Sequence, residues 1–311
     1  MMRFRRGPVL LWLGIATTAA AQTRPEELPL APASAGAARI RNALRANDLV
    51  QAQNAADELA RREPESYESS FWTGYVAYRQ GTFYSAIRAL RKAEKLDSNS
   101  VVLKVLALSY LGAHQDRLFL LKMREAQQNQ PADFAPYYYL GRYYDSEMAD
   151  FGKAAGYFEQ ALARHAGHVA SHYYLGHCLE EQQRPDHAEA EYRKAIALAE
   201  HQGMSDALSY EGLARLRLSA NDSAGALAFA QRAVELAPGA SSAHKLLGRV
   251  YSESGRPLDA TREWESASAI DPTDTATLYR LYRTYKSLGD AGKARAALAN
   301  YQRMAALYGT N

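Results

Sequence analysis

Apolar residues of alternating size recur along this chain at a helical spacing, most clearly between residues 244 and 272. One face of a first predicted helix carries His244, Leu247, Gly248 and Tyr251. Ala260 and Trp264, four residues apart, share one face of a second predicted helix. Gly255 permits a sharp turn between the two helices, and Pro272 ends the second one. This stretch therefore predicts a helical hairpin.

The same pattern returns at intervals of 33 to 38 residues. The small-residue position of the first helix holds in turn Gly74, Ala107, Gly141, Gly176, Ala214, Gly248 and, in the last copy, Tyr282. Seven hairpins are therefore predicted over residues 67–308. Residues 37–66 have a similar length and include a stop at Pro64, but they fill the pattern poorly. We expect them to form an N-terminal capping pair of helices.

This spacing resembles the tetratricopeptide repeat, in which W-x2-L-G-x2-Y precedes A-x3-F and then P over about 34 residues. The resemblance implies an all-α, right-handed superhelical solenoid of antiparallel helix pairs. It also implies that the first helices form a concave groove that holds a peptide or a protein. Two departures stand out. Tyr282 replaces the expected Gly or Ala, so the final pair is expected to be splayed or reoriented, and residues 201–204 lengthen one junction by four residues.

The N-terminus has the layout of an export signal. Arg3, Arg5 and Arg6 precede an apolar run over residues 9–16, and three alanines end at Ala21. We expect cleavage after Ala21, and the apolar run is shorter than the roughly 20 residues that span a bilayer. Residues 22–36 read as a flexible linker, with folded structure from Ala37. The mature protein is thus predicted to be periplasmic or secreted, without stable membrane insertion.

Removal of residues 1–21 changes the charge. The whole chain has 37 basic and 34 acidic residues, and the signal holds three of the arginines and no acid. The mature chain is therefore formally neutral, so its composition gives no reason to expect binding to nucleic acid or to anionic lipid. Cys178 has no second cysteine to pair with, and we expect it to be a small buried core residue.

A search for catalytic or metal-binding patterns finds one cluster, His165, His168, His172 and His177. A metal site is one interpretation of it, but His172 occupies the packing position that Tyr137 holds in another copy, which favours a structural role. The chain lacks a phosphate-binding loop, a dinucleotide motif and a nucleophile elbow. Solvated surface is the interpretation for the helix-end acids Glu180, Glu181, Asp145, Glu147 and Asp150. The sequence thus predicts no metal, no cofactor and no enzymatic activity.

The position after each small residue should face the groove if the chain has the geometry of the family. We call the seven residues at this position the arginine row: Tyr75, Leu108, Arg142, His177, Arg215, Arg249 and Arg283. One turn earlier on the later helices stand Tyr138, Tyr173, Glu211, Lys245 and Tyr279. The predicted ligand-binding residues are Tyr138, Arg142, Tyr173, His177, Arg215, Lys245, Arg249, Tyr279 and Arg283. The expected ligand is an acidic, extended peptide; ordinary solvated arginines are the alternative.

Three function classes remain open at this point. A non-catalytic scaffold or adaptor is favoured, because the repeats account for the predicted folded chain. A self-assembling structural protein of the cell envelope is the second class, with a homodimer through Tyr301, Met304 and Tyr308 on the last hairpin. An enzyme with its site in the groove is the third, and no convergent set of nucleophile and base supports it.

Overall fold

The computed structural model describes residues 34–308, and all regular structure in that range is α-helical. The helices are α1 Ala35–Arg45, α2 Leu49–Arg62, α3 Tyr67–Arg79, α4 Phe83–Leu96, α5 Ser100–Gly112, α6 Asp116–Asn129, α7 Ala135–Ser146, α8 Phe151–Arg164, α9 Val169–Glu181, α10 Pro185–His201, α11 Ala207–Ser219, α12 Ser223–Leu236, α13 Ser241–Glu253, α14 Pro257–Ile270, α15 Thr275–Ser287 and α16 Ala291–Tyr308. The predicted signal, its cleavage site and the linker up to residue 33 lie outside the described residues.

The helices pack as pairs, and the pairs form two compact units that divide after Ala166. The first unit contains α1 to α8, and the second contains α9 to α16. Within each unit, the second helix of a pair also packs against the first helix of the following pair. Because each pair offers an apolar face that its neighbour covers, stability arises from nearest-neighbour contacts.

Every pair turns through one residue with positive φ. These residues are Asn47, Gly81, His114, Ala149, Gln183, Asn221, Gly255 and Gly289. In seven turns the following N–H bonds to a carbonyl five residues back, as in Arg256 N to Tyr251 O at 2.8 Å, which is a Schellman-type helix end. In the fourth turn the Asp150 N–H bonds to the Tyr144 carbonyl six residues back, so this turn is one residue longer than the others.

The N-terminal pair is a complete hairpin with the same turn, at Asn47. Its first helix begins at Ala35, two residues before the predicted start. The Ser34 side chain explains the difference, because its Oγ accepts the Ala37 N–H at 3.3 Å and caps the helix. The pattern of large residues is poor here because alanines fill much of the core, including Ala43, Ala52 and Ala56.

Glycines in the first helices allow a large ring of the second helix to approach. A Cβ at Gly248 would lie 2.5 Å from Trp264 Nε1, and one at Gly141 would lie 2.7 Å from Phe158. Both distances are shorter than a van der Waals contact, so the helices could not pack this closely with alanine. The small residues of the first helices therefore allow the paired helices to approach closely.

The two departures in sequence have local consequences only. The last pair is packed and not splayed, since Ala294 and Ala297 of α16 are buried in one cluster with Leu281 and Tyr285 of α15. The added residues near 201–204 lengthen α10 to 17 residues and end it in a turn. Cys178 is buried, as expected. Within residues 34–308, no helix is both long and apolar enough to cross a membrane.

Replacing Trp264 with Ala should cost about 3 to 5 kcal/mol of unfolding free energy, because the ring is 2 % exposed and fills the space over Gly248. Urea denaturation followed by circular dichroism measures this loss. Tyr308→Ala is the control, since that side chain is 62 % exposed and should cost less than about 0.5 kcal/mol. A loss below about 1 kcal/mol for Trp264→Ala would contradict the packing described.

Gln183 and Gly255 allow a paired test of the turns, since both have positive φ, at 59° and 69°. Gln183→Gly should raise the unfolding free energy by about 0.5 to 1 kcal/mol, because a side chain disfavours this backbone region. Gly255→Ala should lower it by about 1 kcal/mol, and an added Cβ there meets nothing within 4 Å, so only the backbone term changes. Equal melting curves for both variants and wild type would rule out strain at these turns.

Candidate functional site

The predicted ligand-binding residues fall into both units. Tyr138 and Arg142 belong to α7 in the first unit. The other seven lie on the first helices of the second unit: Tyr173, His177, Arg215, Lys245, Arg249, Tyr279 and Arg283.

In the first unit this helix face is closed by packing. Tyr138 is buried, and Arg142 Nη1 donates a hydrogen bond to its hydroxyl at 3.0 Å. The arginine row holds Leu108, which is also buried. Lys104, one turn before Leu108, is 3 % exposed and forms an ion pair with Asp133. This face therefore offers little surface to a ligand.

Arg215 is held within the protein. Its Nε and Nη2 donate to the two carboxylate oxygens of Glu180 at 3.1 and 3.0 Å, and Nη2 also reaches the Tyr192 hydroxyl at 3.2 Å. Tyr192 donates to Glu180 at 2.6 Å. Burial and the neighbouring Glu180 raise the pKa of Tyr192, so its hydroxyl stays a donor. A bidentate, partly buried ion pair of this kind ties α11 to the preceding pair.

Lys245 is also engaged, although less deeply. Its Nζ lies 3.0 Å from Asp274 Oδ2, and the Lys245 side chain is 40 % exposed. Burial acts to raise the pKa of Asp274, but hydrogen bonds from Thr277 and Lys245 outweigh it and lower that pKa. Glu211, on the preceding first helix, is buried and accepts a hydrogen bond from Ser242 Oγ at 3.0 Å. Burial raises the pKa of Glu211.

The exposed part of the predicted site lies on α13 and α15. Among residues 34–308, Arg249 pairs only with Glu253 on its own helix, at 2.6 Å, and its side chain is 46 % exposed. Tyr279 is 44 % exposed, with its ring 5.4 Å from that of Tyr301. Arg283 is exposed, and no carboxylate of residues 34–308 lies within ion-pair distance of it. These three side chains therefore present two cations and an aromatic ring to solvent.

The predicted residues of α9 are partly covered. Tyr173 is half-buried, with its ring 5.8 Å from that of Tyr192. His177 is half-buried too, and its Nε2 lies 3.9 Å from Glu181 Oε1. Both residues belong to the same face as Arg215, which places them next to a rigid, paired part of the groove.

The clustered histidines have separate neighbours. His165 stacks on Phe134 with ring centroids 4.9 Å apart, and His168 Nδ1 lies 2.7 Å from Ser171 Oγ. His172 Nδ1 is 2.6 Å from Glu191, and His244 Nδ1 is 2.7 Å from Glu263, nineteen residues on in both cases. The shared contact supports the interpretation that His172 fills a packing position of the repeat.

Two helix-end acids that the sequence assigned to solvated surface are not solvated. Asp145 is buried, and the Glu180 side chain is 19 % exposed because it lies in the bidentate pair with Arg215. The surface interpretation was wrong for both, since a helix end in a repeat protein can be covered by its neighbours. Glu180 and Arg215 are 35 residues apart, about one repeat, and this spacing of opposite charges is the signal that could have revealed the pair.

Similar folds occur among solved structures at low sequence identity. Cut9 in the APC/C hetero-tetramer Cut9–Hcn1 has a TM-score of 0.67 at 15% identity, over 79% of this chain and 48% of that one. Yeast Tom70 has a TM-score of 0.65 at 14% identity, over 91% of this chain and 62% of that one. A tetratricopeptide repeat protein from Parabacteroides merdae has a TM-score of 0.61 at 17% identity, over 80% of this chain and 97% of that one. This chain therefore spans about half of the Cut9 chain, and the likeness concerns the fold.

A comparison with curated protein sequences finds no match. The sequence profile of the tetratricopeptide repeat matches residues 38–101, 144–203 and 211–275. The first match includes most of the pair that the sequence pattern assigned to a cap. With these matches over more than half of the chain, and with eight helix pairs in residues 34–308, the chain belongs to the tetratricopeptide repeat family.

Proposed function

We propose that this protein is a non-catalytic scaffold that binds an extended, acidic segment of another protein along the first helices of residues 167–308. The observation that carries the proposal is the exposed set Arg249, Tyr279 and Arg283 on α13 and α15. Membership of a repeat family whose first helices line a groove supports it. The similar Cut9 structure is itself a complex with a second protein, Hcn1.

The exposed cations set the strength of binding. Exposed ion pairs contribute roughly 0.2 to 1 kcal/mol each, so Arg249 and Arg283 alone give weak attachment. Stacking on Tyr279 must add to it, at about 0.5 to 1.5 kcal/mol for an aromatic partner. An acidic ligand can displace Glu253 from Arg249, because that pair is exposed and lies within one helix. Arg215 contributes less to binding, since Glu180 already occupies it.

Neighbouring first helices lie about 8 to 10 Å apart, and an extended chain rises about 3.3 Å per residue. The ligand should therefore place an acidic residue against Arg249 and another three positions along, against Arg283. An aromatic residue next to the second acid would meet Tyr279. We expect the interaction to weaken with salt but not to vanish, because the ring contact is not screened.

Selection of random dodecapeptides on phage against the immobilised protein should enrich acidic, aromatic-containing sequences. Isothermal titration with an enriched peptide should then show at least about a tenfold loss of affinity for Arg249→Glu with Arg283→Glu, because each attraction becomes a repulsion. The matched control is Arg193→Glu with Arg232→Glu, which alters net charge equally at exposed positions on second helices. Failure to enrich such peptides, or equal affinity for both double variants, would argue against the groove.

We also propose that the scaffold acts outside the cytoplasm, after export. The support is the order of Arg3, Arg5 and Arg6, an apolar run and three alanines ending at Ala21. Expression with this N-terminus in a bacterium should give a mature protein that begins at Gln22. Edman sequencing of the periplasmic fraction measures this, and recovery of the protein with Met1 retained in the cytoplasm would exclude cleavage.

A further inference from the structure

Charge is segregated along the second unit. Residues 167–274 carry sixteen acidic and ten basic side chains. The last hairpin, α15 and α16 within residues 275–308, carries six basic side chains and one acidic, Asp290. The near-neutral total of the chain averages these opposite parts. A strongly basic hairpin therefore follows an acidic body.

Ion pairing sharpens the contrast. Nine of the ten basic side chains of residues 167–274 lie in ion pairs. In the last hairpin, among the residues that the structure describes, Lys293 alone does so, with Nζ 3.6 Å from Glu265 Oε1. The body thus supplies a carboxylate for almost every cation it carries, and the hairpin does not.

A stripe along α16 presents part of this unneutralised charge. Its residues, four apart, are Arg295, Ala299, Arg303 and Leu307, and all are exposed. Arg295 Nε donates to the Ala291 carbonyl and Arg303 Nη2 to Asn300 Oδ1, both at 3.2 Å. These acceptors are neutral, so neither guanidinium group is paired with a carboxylate of residues 34–308. Leu307, 66 % exposed, adds an apolar contact at one end of the stripe.

We propose that this α16 stripe is a docking surface for an acidic segment of a partner protein, separate from the groove on α13 and α15. Because the stripe is basic, charge complementarity favours a negatively charged partner. An isologous dimer through the last hairpin, as predicted from Tyr301, Met304 and Tyr308, would place two basic hairpins against each other. A second copy is therefore a poor occupant at low salt, where repulsion is strongest.

The acidic body argues for a short segment rather than a long polyanion. Screening acts over about 8 Å at physiological ionic strength. A nucleic acid or a bilayer surface extends well beyond one hairpin and would also face the excess carboxylates of residues 167–274. An acidic polypeptide segment can contact the stripe alone, and an apolar residue within it can meet Leu307.

Fluorescence anisotropy with labelled poly-L-glutamate of about 20 residues tests the stripe at low and physiological salt. Arg295→Glu with Arg303→Glu should weaken binding by about tenfold. Arg193→Glu with Arg232→Glu makes the same change in net charge on the body and should shift affinity by no more than about twofold. Circular dichroism checks folding, which should persist because Glu and Arg have similar helix propensities.

The same titration with Arg249→Glu and Arg283→Glu separates this surface from the groove. If Arg249→Glu with Arg283→Glu abolishes binding and Arg295→Glu with Arg303→Glu does not, the stripe proposal is overturned and the groove proposal stands. If the α16 double variant and its control lose the same affinity, the effect depends on net charge alone, and the stripe proposal is again overturned. Binding of polyuridylate or phosphatidylglycerol vesicles as tight as that of poly-L-glutamate would also overturn it. Sedimentation should show a monomer at low salt; a dimer that the α16 pair dissociates would exclude an acidic partner.

Discussion

The close approach of the second helix to a small residue on the first holds each pair together, and in three pairs a ring lies over a glycine, at Gly141, Gly176 and Gly248. Tyr192 shows it most fully. Its ring fills the space over Gly176 of its own pair and over Gly212 of the next, where an added Cβ would lie 2.8 and 2.5 Å away. One side chain thus closes a hairpin and joins it to its neighbour. Because this packing uses the interior faces, the outward faces of the first helices are left to vary.

Part of that freedom is used for structure. The Tyr192 hydroxyl completes the pair of Arg215 with Glu180, so a groove cation becomes a tie between successive pairs. Lys104 and Lys245 each reach an Asp 29 residues further on, near the start of the next first helix. Two arginines on this face remain exposed. Arg249 pairs with an acid of its own helix, and Arg283 has no described acid near it.

The sequence predicts the hairpins well because packing and turns repeat. It does not predict positive φ at the turn residues His114, Ala149 and Gln183, since none of these residue types is glycine. The repeated hairpin geometry places them in that backbone region. The site is harder to predict. Position in the arginine row indicates which helix face a residue occupies, but not whether a carboxylate one repeat away has already paired with it. Arg215 and Arg249 hold equivalent positions and differ in that respect alone.

Charge poses the same problem on a larger scale. A net charge of only +3 gives no reason to expect an electrostatic surface, yet this chain contains an acidic segment, residues 167–274, followed by a basic hairpin. Arg280, Arg283 and Lys286 follow one another three residues apart along α15, and like charges at that spacing destabilise a helix by roughly 0.2 to 0.5 kcal/mol per pair. The fold does not require this cost, because elsewhere in the same unit nearly every cation has a carboxylate. Since the hairpin departs from that pattern, the stability of the chain does not account for its unpaired cations, and the proposed acidic partner would.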